Sequence, residues 1–135
     1  MNIQDILKNN TIENHHLKDK TLTNISQTIY DVLRPLILPE DLEKTIKKLI
    51  GYQYIDEIVH LQKGKYIRWI STAGPYRLTN GGIIIDIKFL DTGTHILCKN
   101  NMGKIIQIKI DESIIFQKLS TTEQIIVTAN DSLTR

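Results

Sequence analysis

Between Lys63 and Lys118, isoleucine returns at every second position in run after run, and this alternation constrains the fold more than any other feature. Neighbouring side chains of a strand point to opposite faces, so such a run presents one apolar face and one mixed face. Ile83, Ile85, Ile87 and Phe89 alternate with Ile84, Asp86 and Lys88. Ile106, Ile108 and Ile110 alternate with Gln107 and Lys109. Shorter runs repeat the device: Ile96 with Cys98, Ile114 with Phe116, and Ile67 with Trp69, the last pair having Tyr66 and Arg68 opposite.

Turn signals separate the runs. Asn80-Gly81-Gly82, Asp91-Thr92-Gly93 and Asn100-Asn101-Met102-Gly103 supply residues that tolerate positive φ, as tight hairpins require. Asp111-Glu112-Ser113 is a shorter break. Five short strands must curl to bury one face, because a small flat sheet leaves its edges and half its apolar side in water. The expectation is an α+β protein built on a small five-stranded antiparallel barrel, SH3-like or Tudor-like, over residues 61–119.

Helices are expected on either side. Ile3, Ile6 and Leu7 predict a short helix over residues 2–9, and the polar stretch with His15-His16 reads as a loop. Leu22, Ile25, Ile29, Val32 and Leu33 trace one face of a helix capped by Thr23 and closed by Pro35. Pro39 fits the first turn of the next helix, with Glu40, Asp41 and Glu43 at its positive end. Leu42, Ile46, Leu49 and Ile50 form its stripe, Lys47 and Lys48 fall in its last turn, and Gly51 stops it. Residues 52–61 read as helix on Ile55, Ile58 and Val59, with a strand over Ile58–Leu61 as the alternative. Ser120-Thr121-Thr122-Glu123 is a capping box opening a last helix with Ile125, Ile126, Ala129 and Leu133 facing the barrel. The organisation expected is a helical segment over 1–60, the β unit over 61–119 and a helix over 120–135, in a single domain.

The net charge of +2 hides an uneven distribution. Residues 1–60 carry 7 Lys/Arg against 9 Asp/Glu, and residues 61–119 carry 9 against 4, so the β unit is the basic part. That layout suits an anionic partner. No run approaches the ~18 apolar residues of a membrane span. The first residues lack a basic stretch followed by an apolar one, so an intracellular chain is expected, not a secreted one. A single Cys98 excludes an internal disulfide and suits a reducing compartment. Heavy use of Ile, Asn and Lys is the mark of an AT-rich genome, as in a large DNA virus, a parasite or a low-GC bacterium.

Reactive chemistry finds no constellation. His95 and Cys98 are three apart, which on a strand sends them to opposite faces, and His60 has no partner at i+4, so no metal site is expected. Gly64-Lys65 and Gly103-Lys104 lack the rest of a phosphate loop, and no serine sits at a strand-turn-helix elbow. No cofactor, no small-molecule substrate and no enzymatic activity are expected. The feature that points to function is the interleaving of rings and cations around Lys63, Lys65, Tyr66, Arg68, Tyr76 and Arg77, with Lys88 on the next strand. Nucleic-acid sites on small barrels combine stacking rings with phosphate-tracking cations.

Along Gly64-Lys65-Tyr66-Ile67-Arg68-Trp69-Ile70, followed by Leu78-Thr79-Asn80-Gly81-Gly82, the chain resembles small uncharacterised proteins of giant DNA viruses. The resemblance covers residues 64–118 and implies a viral accessory, virion or complex-subunit protein, located in the cytoplasm or nucleus of a host cell or in the virion; it transfers no catalytic residues. Together these readings predict a non-enzymatic interaction or structural module that binds a protein partner or associates with itself. Nucleic-acid binding through the basic aromatic surface is the alternative.

Overall fold

A computed structural model describes Leu17 and residues 20–133. The expected helix over residues 2–9 and the His15-His16 loop lie outside the described residues. In chain order the elements are α1 (Leu22–Leu33), α2 (Pro39–Lys48), β1 (Tyr52–Ile55), β2 (Tyr66–Ser71), β3 (Gly82–Leu90), β4 (Gly93–Lys99), β5 (Ile105–Lys109), β6 (Ser113–Lys118) and α3 (Thr121–Leu133). Short 3-10 turns at Ile58–His60 and Ile110–Glu112 precede β2 and β6.

All six strands form one antiparallel sheet in the order β1-β6-β2-β3-β4-β5. Strands β2 to β5 run as a meander. The turn at Ile110–Glu112 then sends β6 back to the opposite side of β2, where Trp69 pairs with Ile115 and Arg68 with Phe116. On its other side β6 pairs with β1, Tyr54 opposite Phe116.

Two expectations need correction here. The closed five-stranded SH3-like barrel is not what forms: the sheet is open, with β1 and β5 as its edges. The helical reading of 52–61 also gives way, to strand Tyr52–Ile55 and a 3-10 turn. The two corrections share a cause. Tyr52, Gln53, Tyr54 and Ile55 pair antiparallel with Lys118, Gln117, Phe116 and Ile115, so β1 takes the free side of β6. Helices cover the second face of β6 and β2, while the first face is buried by the sheet's own strands together with Leu61.

Each face of the sheet has its own core. On one, Ile55 of β1, Ile67 and Trp69 of β2, Ile84 of β3, Ile96 and Cys98 of β4, Ile108 of β5 and Ile115 of β6 form a single cluster with Leu61. On the other, Ile70 and Phe116 meet Ile25, Ile29 and Leu33 of α1 and Ile126 and Val127 of α3. The Tyr54 and Phe116 rings lie 6.0 Å apart in this second core. Each fully buried Leu, Ile or Phe contributes ~1.5–3 kcal/mol, which is why helical stripes of this kind are not left in water.

Local details follow the chemistry of caps and turns. Helix α1 is capped two residues earlier than expected, by Thr21, whose hydroxyl accepts from Asn24 N at 3.0 Å. The expected capping box of α3 is present: Ser120 N donates to Glu123 Oε1 at 2.9 Å and Glu123 N to Ser120 Oγ at 3.1 Å. Leu22, Ile50 and Leu133, expected on buried stripes, are exposed. Asn80-Gly81-Gly82 does not make a tight hairpin but ends the longer connection from β2 to β3. Gly81 is required there by φ +83°, and a Cβ would come within 2.1 Å of the Ile67 carbonyl.

Strand β3 departs from its expected alternation. Ile84 pairs with Cys98, but the next pair is Asp86 with Leu97, so Ile85 is an extra residue in the strand. One extra residue exchanges the faces beyond it. Ile84 and Ile87 therefore face the core, while Ile83 and Ile85 stay 45% and 40% exposed and Phe89 is 75% exposed at the strand's far end.

Trp69, 6% exposed between Ile67 and Ile115, is a core residue. Trp69→Ala is expected to destabilise by ~3–5 kcal/mol. Urea unfolding should show a lower midpoint at an unchanged m-value.

Candidate functional site

The residues expected to form one basic aromatic surface are dispersed by the fold. Lys65 turns inward, and its ammonium meets the carboxylate of the buried Glu123, the residue that completes the α3 cap. Burial pushes the Lys65 pKa down. This lysine fastens α3 to the start of β2. Tyr66 donates its hydroxyl to the Asn80 carbonyl at 2.6 Å. Arg68 donates from Nε to the Thr79 carbonyl at 2.8 Å and from Nη1 to the Lys48 carbonyl at 3.4 Å. Tyr66 and Arg68 thus hold the loop before β3, and Arg68 also reaches the end of α2. Arg68 sits close enough to Tyr52 to oppose, in part, the rise that burial imposes on that hydroxyl's pKa.

Lys63 pairs with Asp86 at 3.2 Å across an exposed part of the surface. The hydrogen bond from Lys63 is the main influence holding the Asp86 carboxyl below its usual range. Lys88 lies farther along β3. Tyr76 and Arg77 stand together in the β2–β3 connection, the loop whose far end Arg68 holds at the Thr79 carbonyl. The expected set therefore does not converge on one site, because its cations and rings are mostly committed to internal bonds.

Two surfaces remain that could engage a partner. The first is the outer face of β3–β4–β5, where strand register lines side chains up in rows. Ile83, Lys99 and Ile105 form one row; Asp86, Leu97 and Gln107 the next; Lys88, His95 and Lys109 the third. Ile105 is 59% exposed, across Lys99 from Ile83. His95 is oriented within its row by the Gln107 amide, 3.0 Å from Nδ1, and the Thr92 hydroxyl, 3.0 Å from Nε2. Among the described residues no helix packs on this face, and β5 leaves its outer edge unpaired.

The second is an open groove of about 720 Å³ between α2 and the β2–β3 connection. Tyr76 and Arg77 lie on one wall; Asp41, Lys44 and Lys48 lie on the α2 wall, at helical spacing along one face. Sequence reasoning found Tyr76 and Arg77 but not their neighbours. Lys44 and Lys48 are visible as an i, i+4 pair, yet nothing local says that a loop thirty residues later comes to rest beside them.

Among the described residues no group of three His, Cys, Asp or Glu is placed to hold a metal ion. Cys98 is buried between Ile84 and Ile106 on the sheet's inner face, opposite in direction to His95, and burial pushes its thiol up to about 12. A thiol so placed is not a nucleophile at neutral pH. Among the described residues no helix is long and apolar enough to cross a membrane.

The two lysine pairs separate a structural charge from a solvated one. Lys65→Ala should cost roughly 3 kcal/mol, since it leaves Glu123 buried without its cation. Lys63→Ala should leave the urea midpoint unchanged, because an exposed pair is screened by water. A second check is thiol labelling: Cys98 should resist iodoacetamide at pH 8 in the folded protein and react on unfolding in guanidinium.

Comparison of the chain with protein-family models, with curated proteins and with solved structures found no match.

Proposed function

We propose that this chain is a non-enzymatic interaction module that docks a protein partner on the outer face of β3–β4–β5. The observation that carries the reading is the exposure of Ile83, Ile85 and Ile105 on a sheet face that, among the described residues, no helix covers. Isolated exposed isoleucines need no explanation, but a cluster on one flat face marks an interaction surface. Lys99 stands between Ile83 and Ile105, and Lys88 and Lys109 lie two rows farther along the same face, so the complementary surface is apolar with an acidic border. The same lysines disfavour a symmetric pairing of two identical faces. The open edge of β5 adds a row of backbone groups that can receive a further strand. Membership of a viral complex is consistent with this role and rests on the resemblance over residues 64–118.

A nucleic acid on the same face is the second reading, and the Lys88-His95-Lys109 row favours it. The aromatic half of that arrangement is missing. Trp69 lies in the core and the Tyr66 hydroxyl is bound to Asn80.

The test replaces the apolar contacts while keeping β-branched side chains, in the double substitution Ile83→Thr with Ile105→Thr. Proteins retained from a cell extract by the wild-type chain should be lost by the variant, at equal thermal stability, and light scattering should show the free chain as a monomer. Retention unchanged by the substitution would remove this reading. Oligonucleotide binding that weakens steeply with salt would favour the second.

A further inference from the structure

The groove between α2 and the β2–β3 connection carries a charge pattern that the sheet face does not account for. Its lining includes Leu36 and Leu78, both half-buried against the helical core. Lys44, Lys48 and Arg77 surround it, and among the described residues none of the three takes part in an ion pair. Their neighbour Lys47, by contrast, is paired with Glu43 at 3.2 Å. Three cations that form no ion pair among the described residues, set around apolar side chains, favour a ligand that is both apolar and anionic. The volume of about 720 Å³ lies within the usual range of ligand sites, ~300–1,000 Å³.

We infer that this groove binds a short acidic peptide segment. One apolar side chain of the peptide rests on Leu36 and Leu78, and its flanking carboxylates are held by Lys44, Lys48 and Arg77. Asp41, inside the same groove, decides between a peptide and a nucleic acid. A carboxylate there accepts peptide N–H groups but repels a continuous polyanion. Tyr76, exposed at the groove's rim, offers a ring to the peptide's apolar residue. Neither Ile83 nor Ile105 lines the groove, so this site and the sheet face stand or fall separately.

The test uses fluorescence anisotropy on the full chain. The probes are a fluorescein-labelled octapeptide library with a central leucine or phenylalanine flanked by aspartates and glutamates, a matched library with the acids replaced by their amides, and a labelled twelve-nucleotide oligothymidylate. The acidic library should bind at least about tenfold more tightly than the amide library. Lys44→Glu with Arg77→Glu should abolish that preference, and Lys44→Gln with Arg77→Gln should weaken it in a chain whose melting temperature is unchanged. Ile83→Thr with Ile105→Thr should leave it intact. Equal binding of the two libraries, no binding of either, indifference to the Lys44 and Arg77 substitutions, or tighter binding of the oligonucleotide would each overturn the inference.

Discussion

The pairing of β6 on both of its sides is the constraint on which the rest of this structure depends. β6 is bonded to β1 through four residue pairs and to β2 through five. It also faces both cores: Ile115 enters the cluster with Trp69 and Ile96, while Phe116 enters the cluster with Ile29 and Val127. Its buried Gln117 accepts from Gln62 N at 3.0 Å and donates to the His60 carbonyl at 2.9 Å, fixing the segment between β1 and β2. A strand buried on both faces cannot shift by one residue without exposing one core and placing polar groups in the other. β6 therefore sets the register of β1 and β2, and through Leu119 and the Ser120 cap it sets where α3 begins.

That arrangement decides which surfaces are left for function. The β1-β6-β2 half of the sheet is enclosed on both faces, so its charged side chains serve as internal fasteners: Lys65 on Glu123, Arg68 on the Thr79 and Lys48 carbonyls. Among the described residues, the β3-β4-β5 half is enclosed on one face only. Its outer face keeps isoleucines and lysines in contact with water, and the extra residue at Ile85 enlarges the apolar share of that face. The groove arises elsewhere, where the β2–β3 connection leans toward α2, a helix that Arg68 ties to the same loop.

Much of the local architecture was legible from residue pattern, because period and caps are local signals. Ile67 with Trp69, Ile96 with Cys98, Ile106 with Ile108, and Ser120 with Glu123 all behave as their spacing implies. What the pattern could not reveal was set by distant partners. The four residues of β1 are too few to show a period, and they become a strand because β6 is there to pair with them. The extra residue at Ile85 is invisible in an unbroken run of isoleucines, since either face could be the buried one. The candidate site was legible only in part. Interleaved rings and lysines look alike whether they face water or hold a loop, and only the fold shows that Lys65, Tyr66 and Arg68 hold structure while Tyr76 and Arg77 line a groove.

Amide hydrogen exchange along β6 is the most direct measurement of the central claim. A strand paired on both sides and buried on both faces should open only with the whole protein, so Ile115, Phe116 and Gln117 should fall in the slowest class with their β2 partners. The edge strand β5 should exchange faster. If the β6 amides instead exchanged as quickly as those of β5, β6 would not be the strand that joins the two cores, and the account would fail.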